Sequence, residues 1–169
     1  MFGLDPGILL LLIFCLLAAC TFEFVNGFHD TANAVATVIY TNSLKPNTAV
    51  VWSGFCNLVG VLSGGISVAM GIVNLLPVES LIDQNIHHST AMILALLLSA
   101  IIWNLGTWWL GLPSSSSHTL IGSIIGVGLA FSVLPGSEGA GVNWDKAKDI
   151  GLALLVSPIV GFTLTVFMM

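Results

Sequence analysis

Glu23-Phe-Val-Asn-Gly-Phe-His-Asp-Thr-Ala-Asn33 follows an almost unbroken apolar run that begins at Ile8. A helix that enters a membrane at Ile8 is still in lipid or protein when it reaches Glu23, Asn26, His29, Asp30 and Asn33. Ionisable groups at that depth are expensive and mark a functional site by default. Asp30 and Asn33 are three residues apart, so on a helix they share one face. Gly27, just before them, frees the backbone to open. The stretch therefore reads as a broken first helix in which a carboxylate, an amide oxygen and unwound carbonyls hold a small cation. The competing reading is an ordinary helix end, where Asn, Gly and Asp collect as caps.

The rest of the chain supports the membrane setting. Of its 169 residues, 56% are hydrophobic and 7% charged, and the mean hydropathy is +1.04. That is too apolar for a soluble domain, and several runs are long enough to cross a bilayer. Three lysines against eight acidic residues give a net charge of -5. No basic patch exists to track a nucleic-acid backbone, so nucleic acid is excluded as a partner. Cys15, Cys20 and Cys56 show no metal-ligand spacing and read as small buried hydrophobes. The first residues lack the positive region of a signal peptide, so the first helix is expected to be retained.

In chain order, a first span runs from Ile8 to about Val25, with Asp30 to Tyr40 as the second half of the broken helix. Thr41 to Asn47 is a turn by its Asn, Ser and Pro content. Thr48 to about Val73 is the next span, and its glycines suggest close helix packing. Asn74 to Ser89 is polar and acidic and reads as a loop. His87 and His88 within it are neighbours that point to different helical faces, which is poor metal-ligand spacing. Thr90 to Leu110 is a further span, ending in Trp103, Trp108 and Trp109 as an interfacial aromatic belt. A loop from Pro135 to Lys148 leads to a last apolar stretch, Asp149 to Met169.

The second polar segment is Gly111-Leu-Pro-Ser-Ser-Ser-Ser-His-Thr119, which opens an apolar, glycine-studded helix. It reads either as a plain serine-rich N-cap or as the tip of a re-entrant hairpin over Pro113 to Leu134. The positive-inside tendency favours the hairpin, because that topology puts the loops of Lys45 and of Lys146 and Lys148 on one side. Non-helical backbone at membrane depth must be buried in protein or line a cavity, so a hairpin implies a site. The start of a helix offers unpaired N–H groups and a positive dipole end, and Ser114 to Ser117 and Thr119 add neutral hydroxyl donors. Together these make an oxyanion site that can still release its ion. With Asp30 and Asn33 as hard oxygen ligands for a cation, the two segments imply cation-coupled anion symport. His118 donates to the anion, carries a proton, or simply packs at the helix start.

Gly27-Phe-His-Asp-Thr-Ala-Asn33 and Pro113-Ser-Ser-Ser-Ser-His-Thr119 resemble the paired signatures of the inorganic phosphate transporter (PiT) family, in its order and at its separation. The resemblance implies an all-α polytopic membrane protein, one repeat of an inverted-repeat secondary transporter. Phosphate and the coupling cation would lie between two such repeats. It places the cation on Asp30 and Asn33 with His29 beside them, and phosphate on Ser115, Ser116, Ser117, His118 and Thr119. His29 stands where many sodium-coupled members have Asn. The His-Asp form resembles the bacterial low-affinity branch, which implies a proton as coupling ion ahead of sodium. That branch also takes phosphate partly as a neutral complex with a divalent metal. No cofactor or resident metal is expected, and the location is the bacterial inner membrane.

Family members are about twice this long and carry each signature twice. Residues 1–169 are thus expected to be a single membrane domain, the first repeat. The second repeat is supplied by a longer chain or by a homodimer. The alternatives are a symporter of sulfate or another oxyanion, a membrane metal protein built on Glu23, His29, Asp30 and His118, and a channel or structural subunit.

Overall fold

The computed structural model describes residues 5–64, 66, 70–71, 73–75, 86–133 and 142–168, and within them the regular structure is entirely helical. Among the described residues the helices with defined bounds are, in order, α1 Pro6–Tyr40, α2 Pro46–Gly64, α3 Ile86–Trp109, α4 Ser116–Ser132 and α5 Trp144–Met168. Three of them, α1, α3 and α5, are long and apolar enough to cross a membrane. The protein is therefore an all-α polytopic membrane protein, as the sequence suggests.

Local chemistry sets the helix ends. Pro6 and Pro46 stand at first helical positions, where a missing N–H costs nothing. Asn42 adopts φ 54° after α1, and the Ser43 and Asn42 N–H groups close back on the Val38 and Ile39 carbonyls at 3.1 and 3.0 Å. Gly111 repeats this arrangement after α3, with φ 67° and bonds from Leu112 to Thr107 at 2.9 Å and from Gly111 to Trp108 at 3.0 Å. Both are Schellman caps, which place an Asn or Gly in the left-handed region. Pro113 then blocks any return to helix before Ser115 caps α4.

α1 is continuous through Gly27 over 35 residues, about 52 Å at about 1.5 Å per residue. The expected break of the first helix is thus not present. A Cβ built on Gly27 would meet nothing within 4 Å, so this glycine serves neither a kink nor a close approach here. Gly54, Gly60 and Gly64 of α2 are equally open, and Cys20 and Cys56 are exposed, against the expectation of tight packing and burial.

The core lies between α1, α3 and α4. Phe22 of α1, Met92, Leu96, Leu97, Ala100 and Ile101 of α3, and Ile121 and Ile124 of α4 form one buried cluster with Leu75. α1 and α3 run parallel: Cys15 Sγ meets the Thr90 carbonyl at 3.7 Å near one end and His29 meets Thr107 near the other. α4 turns back along them, since Ser116 reaches Asp30 while the Phe131 ring lies 6.4 Å from that of His88.

The serine segment is therefore the tip of a helical hairpin, but its incoming limb is α3, whereas the apolar run of Thr90 to Leu110 suggests a separate span. His87 and His88 belong to the start of that limb rather than to a loop; residues 76–85 of the acidic segment lie outside the described residues. The tip is level with Asp30, ten residues before the end of α1 at Tyr40, about 15 Å short of it. The lysine argument changes with the limb. Lys45 follows the far end of α1. Lys146 and Lys148 flank Ala147, which packs on the core cluster, and the Asn143 N–H nearby bonds to the Leu75 carbonyl at 3.0 Å. The lysines lie at opposite ends of the bundle, not on one side.

Candidate functional site

The polar residues converge where α1 passes the hairpin tip. Ser116, the first residue of α4 and 8% exposed, donates its hydroxyl to Asp30, at 2.8 Å from Oδ2 and 3.0 Å from Oδ1. Asn33 Nδ2 donates to the Ser114 carbonyl at 3.5 Å. Two residues of α1 thereby hold the tip from the side. The carboxylate also stands at the start of α4, where the positive end of the helix dipole stabilises negative charge.

Ser115 is the N-cap of α4. Its Oγ accepts from the His118 N–H at 3.4 Å and pairs with His118 Nδ1 at 2.8 Å, which holds the ring against the first turn. Thr119 Oγ1 donates to the Ser115 carbonyl at 3.0 Å and lies 3.5 Å from Ser114 Oγ. Ser114, Ser115, His118 and Thr119 line one wall of an open cavity of about 780 Å³, with Ser99, Trp103 and Thr107 of α3 across from them. Ser117 is exposed.

The structure brings Asp30, Asn33 and Ser116 together, and sets Ser115, His118 and Thr119 on the cavity beside them. Ser116 faces the carboxylate rather than the cavity. His29 is buried at 7% exposure and turns to Thr107, with Nε2 3.4 Å from Oγ1. Three residues of the alternative metal centre are thus engaged separately, His29 with Thr107, Asp30 with Ser116 and His118 with Ser115, and the fourth, Glu23, is exposed. Among the described residues no group of His, Cys, Asp and Glu is disposed to hold a metal ion.

Sequence reasoning left two α3 residues without a role. Thr107 lines the cavity, and Asn104 is 1% exposed with neither Oδ1 nor Nδ2 hydrogen-bonded. The Oδ1 of Asn26 on α1 is likewise buried and unpaired. A buried polar group left without a partner costs about 1–3 kcal/mol, so these amides call for an explanation. Their signal was readable: Asn104 and Thr107 are polar, three apart and on one face of the tryptophan-rich end of α3.

A bundle of apolar helices in which a carboxylate, a capped helix start and a hydroxyl-lined cavity meet defines a polytopic membrane protein with a polar site inside the bundle. The model of the phosphate transporter family, PHO4, matches residues 26–169, and the chain belongs to that family. It is 52% identical over 163 residues to the low-affinity inorganic phosphate transporter PitB of Escherichia coli K12, covering 96% of this chain and 33% of the relative. PitA of the same strain is 51% identical over 160 residues, covering 94% and 32%. A probable low-affinity inorganic phosphate transporter of Bacillus subtilis is 38% identical over 157 residues, covering 93% and 44%. The chain thus spans about a third of the length of the E. coli relatives, at 33% and 32%. No solved structure matches it. With its family and its three long apolar helices, the chain is a multi-pass protein of the cell membrane.

Proposed function

We propose that this chain forms one repeat of a cation-coupled symporter of inorganic phosphate in the bacterial inner membrane, completed by a second repeat. The observation that carries this reading is the hydrogen bond of Ser116 to Asp30 at the start of α4. That helix start, with the Ser115, His118 and Thr119 wall beside it, is where phosphate is to bind, and a carboxylate already occupies its edge. Two like charges about 5 Å apart repel by about 3 kcal/mol at an effective dielectric of about 20. Phosphate therefore binds well only once a cation has neutralised Asp30. That order of events is coupling: the cation loads, the anion follows, and both leave together.

Asn33 fixes the tip against α1, and the Ser115, Ser117, His118 and Thr119 groups present neutral donors that release the anion readily. The family resemblance gives the cation as a proton, with sodium the alternative, and allows phosphate to enter with a divalent metal that masks its charge. The kinship to proteins named as phosphate transporters favours phosphate over sulfate.

The test uses the complete transporter in proteoliposomes. Asp30→Asn, a neutral mimic of the loaded carboxyl, should lose gradient-driven accumulation of radiolabelled phosphate while still binding it. Undiminished accumulation by this variant removes Asp30 from the coupling site. A loss of binding together with accumulation makes the carboxylate structural.

A further inference from the structure

Thr107 stands across from the hairpin tip and takes no part in the site so far described. His29 of α1 meets its hydroxyl, while the next residue, Asp30, bonds to Ser116, so Thr107 and the start of α4 lie at one level of the bundle. Thr107 lines the same cavity as Ser114, Ser115 and His118. Its carbonyl accepts from the Leu112 N–H at 2.9 Å, which ties the residue to the turn that carries the tip.

A threonine hydroxyl has one proton and two lone pairs. Thr107 Oγ1 is 3.0 Å from the Trp103 carbonyl, 3.0 Å from the Asn104 carbonyl and 3.4 Å from His29 Nε2. The carbonyls only accept, so the proton goes to one of them, or to Nε2 where that nitrogen is bare. In each case the proton is held inside the protein, and a lone pair is what Oγ1 has left for a ligand. Ser99 and Ser123, farther from the tip in the same cavity, repeat the pattern: their hydroxyls donate to the Ala95 and Leu120 carbonyls, each at 2.8 Å. The start of α4 has the opposite sense. The N–H groups of Ser116 and Ser117 are in its first turn, where no carbonyl of the helix reaches them. Donors at the tip thus face acceptors on α3.

A ligand that satisfies both is an oxyanion with a proton of its own. Near neutral pH inorganic phosphate always keeps at least one P–O–H, whereas sulfate, of the same shape, keeps none. We propose that Thr107 Oγ1 accepts the hydroxyl proton of bound phosphate and is the residue that selects phosphate over sulfate. This role rests on the phosphate reading above and deepens it: the substrate is a hydroxylated oxyanion, held by its bare oxygens at the start of α4 and by its P–O–H at α3. Sulfate in that place sets an oxygen lone pair against that of Thr107. A site built around a substrate hydroxyl rejects the analogue lacking it far more strongly than an apolar pocket rejects a change of size.

The experiment measures exchange of internal phosphate for radiolabelled external phosphate by the complete transporter in proteoliposomes at neutral pH, which reads anion binding without an ion gradient. The competitors are sulfate and monofluorophosphate, in which fluorine replaces the hydroxyl of hydrogen phosphate at the same charge. Both should compete weakly with the unaltered transporter. Thr107→Val, which exchanges the hydroxyl for a methyl group, should raise the phosphate half-saturation about tenfold and leave the inhibition constants of the two competitors level or lower. Thr107→Ser, which keeps the oxygen, should retain the parent's discrimination. Equal weakening of all three ions in Thr107→Val overturns the acceptor and makes Thr107 a support for the tip. An unchanged phosphate half-saturation overturns it as well. Sulfate that competes with the unaltered transporter as strongly as phosphate does overturns this role and leaves phosphate transport standing, whereas an absence of phosphate exchange overturns both. Should Thr107→Val fail to insert, thermal unfolding of the unaltered transporter decides: a rise in Tm with phosphate but not with monofluorophosphate supports the acceptor, and equal rises overturn it.

Discussion

At the scale of single residues, the pairing of Ser116 with Asp30 joins two functions that the sequence keeps apart. The serine run and the Asp-Asn pair were both legible, because hydroxyls before an apolar helix and a carboxylate after one are rare. Their contact was not, since the two side chains are 86 positions apart and no local pattern encodes that distance. A consequence is that Ser116→Ala removes a donor from the carboxylate rather than from the cavity. Its main effect should be on cation dependence, shifting the cation half-saturation by the equivalent of about 1–3 kcal/mol, with a smaller change for phosphate. Titrating uptake against the driving cation and against phosphate separates the two, and a shift confined to phosphate places the hydroxyl on the anion. Ser115 is the reverse case. Its Oγ caps α4 and holds His118, so Ser115→Ala should cost about 1 kcal/mol of stability as well as phosphate affinity. A melting curve identical to that of the parent protein denies the cap its role.

At the scale of elements, periodicity located the helices and misjudged their breaks. Gly27 within a polar run suggested an opening, yet a helix needs only its own carbonyls, and α1 keeps them through 35 residues. Gly27→Ala, at a position where a Cβ meets nothing within 4 Å, should therefore insert normally and gain about 0.5–1 kcal/mol of stability. Loss of folding or of transport with an unaltered melting temperature would show that α1 must open there. Gly111 is the contrasting glycine. At φ 67° it turns α3 into the tip, and Gly111→Ala should cost about 1–2 kcal/mol and displace the serines from Asp30. The Gly-Leu-Pro sequence was a readable stop. What it could not show is that α3 is the hairpin's incoming limb, because a 24-residue apolar helix looks the same whether it ends in a loop outside the membrane or beside a buried carboxylate.

At the scale of the whole molecule, the faces left outward are apolar: α5 buries no residue and α2 only Ala49. In water such surfaces would be costly, but lipid tails are as apolar as leucine, so they cost little in a bilayer or against a second repeat. Composition made that setting legible from the start. Sidedness was not, because three lysines vote on topology only after the limbs are counted correctly. With α3 and α4 as the two limbs of one hairpin, Lys45 falls at the far end of α1 and Lys148 near the opposite end of the bundle. In a transporter whose native cysteines are replaced by alanine, Lys45→Cys and Lys148→Cys should react with a membrane-impermeant maleimide from opposite faces, one in right-side-out and the other in inverted vesicles. Labelling of both from the same face would return α3 to a separate crossing. It would also carry the serine tip away from the level of Asp30, and with it the contact on which coupling depends.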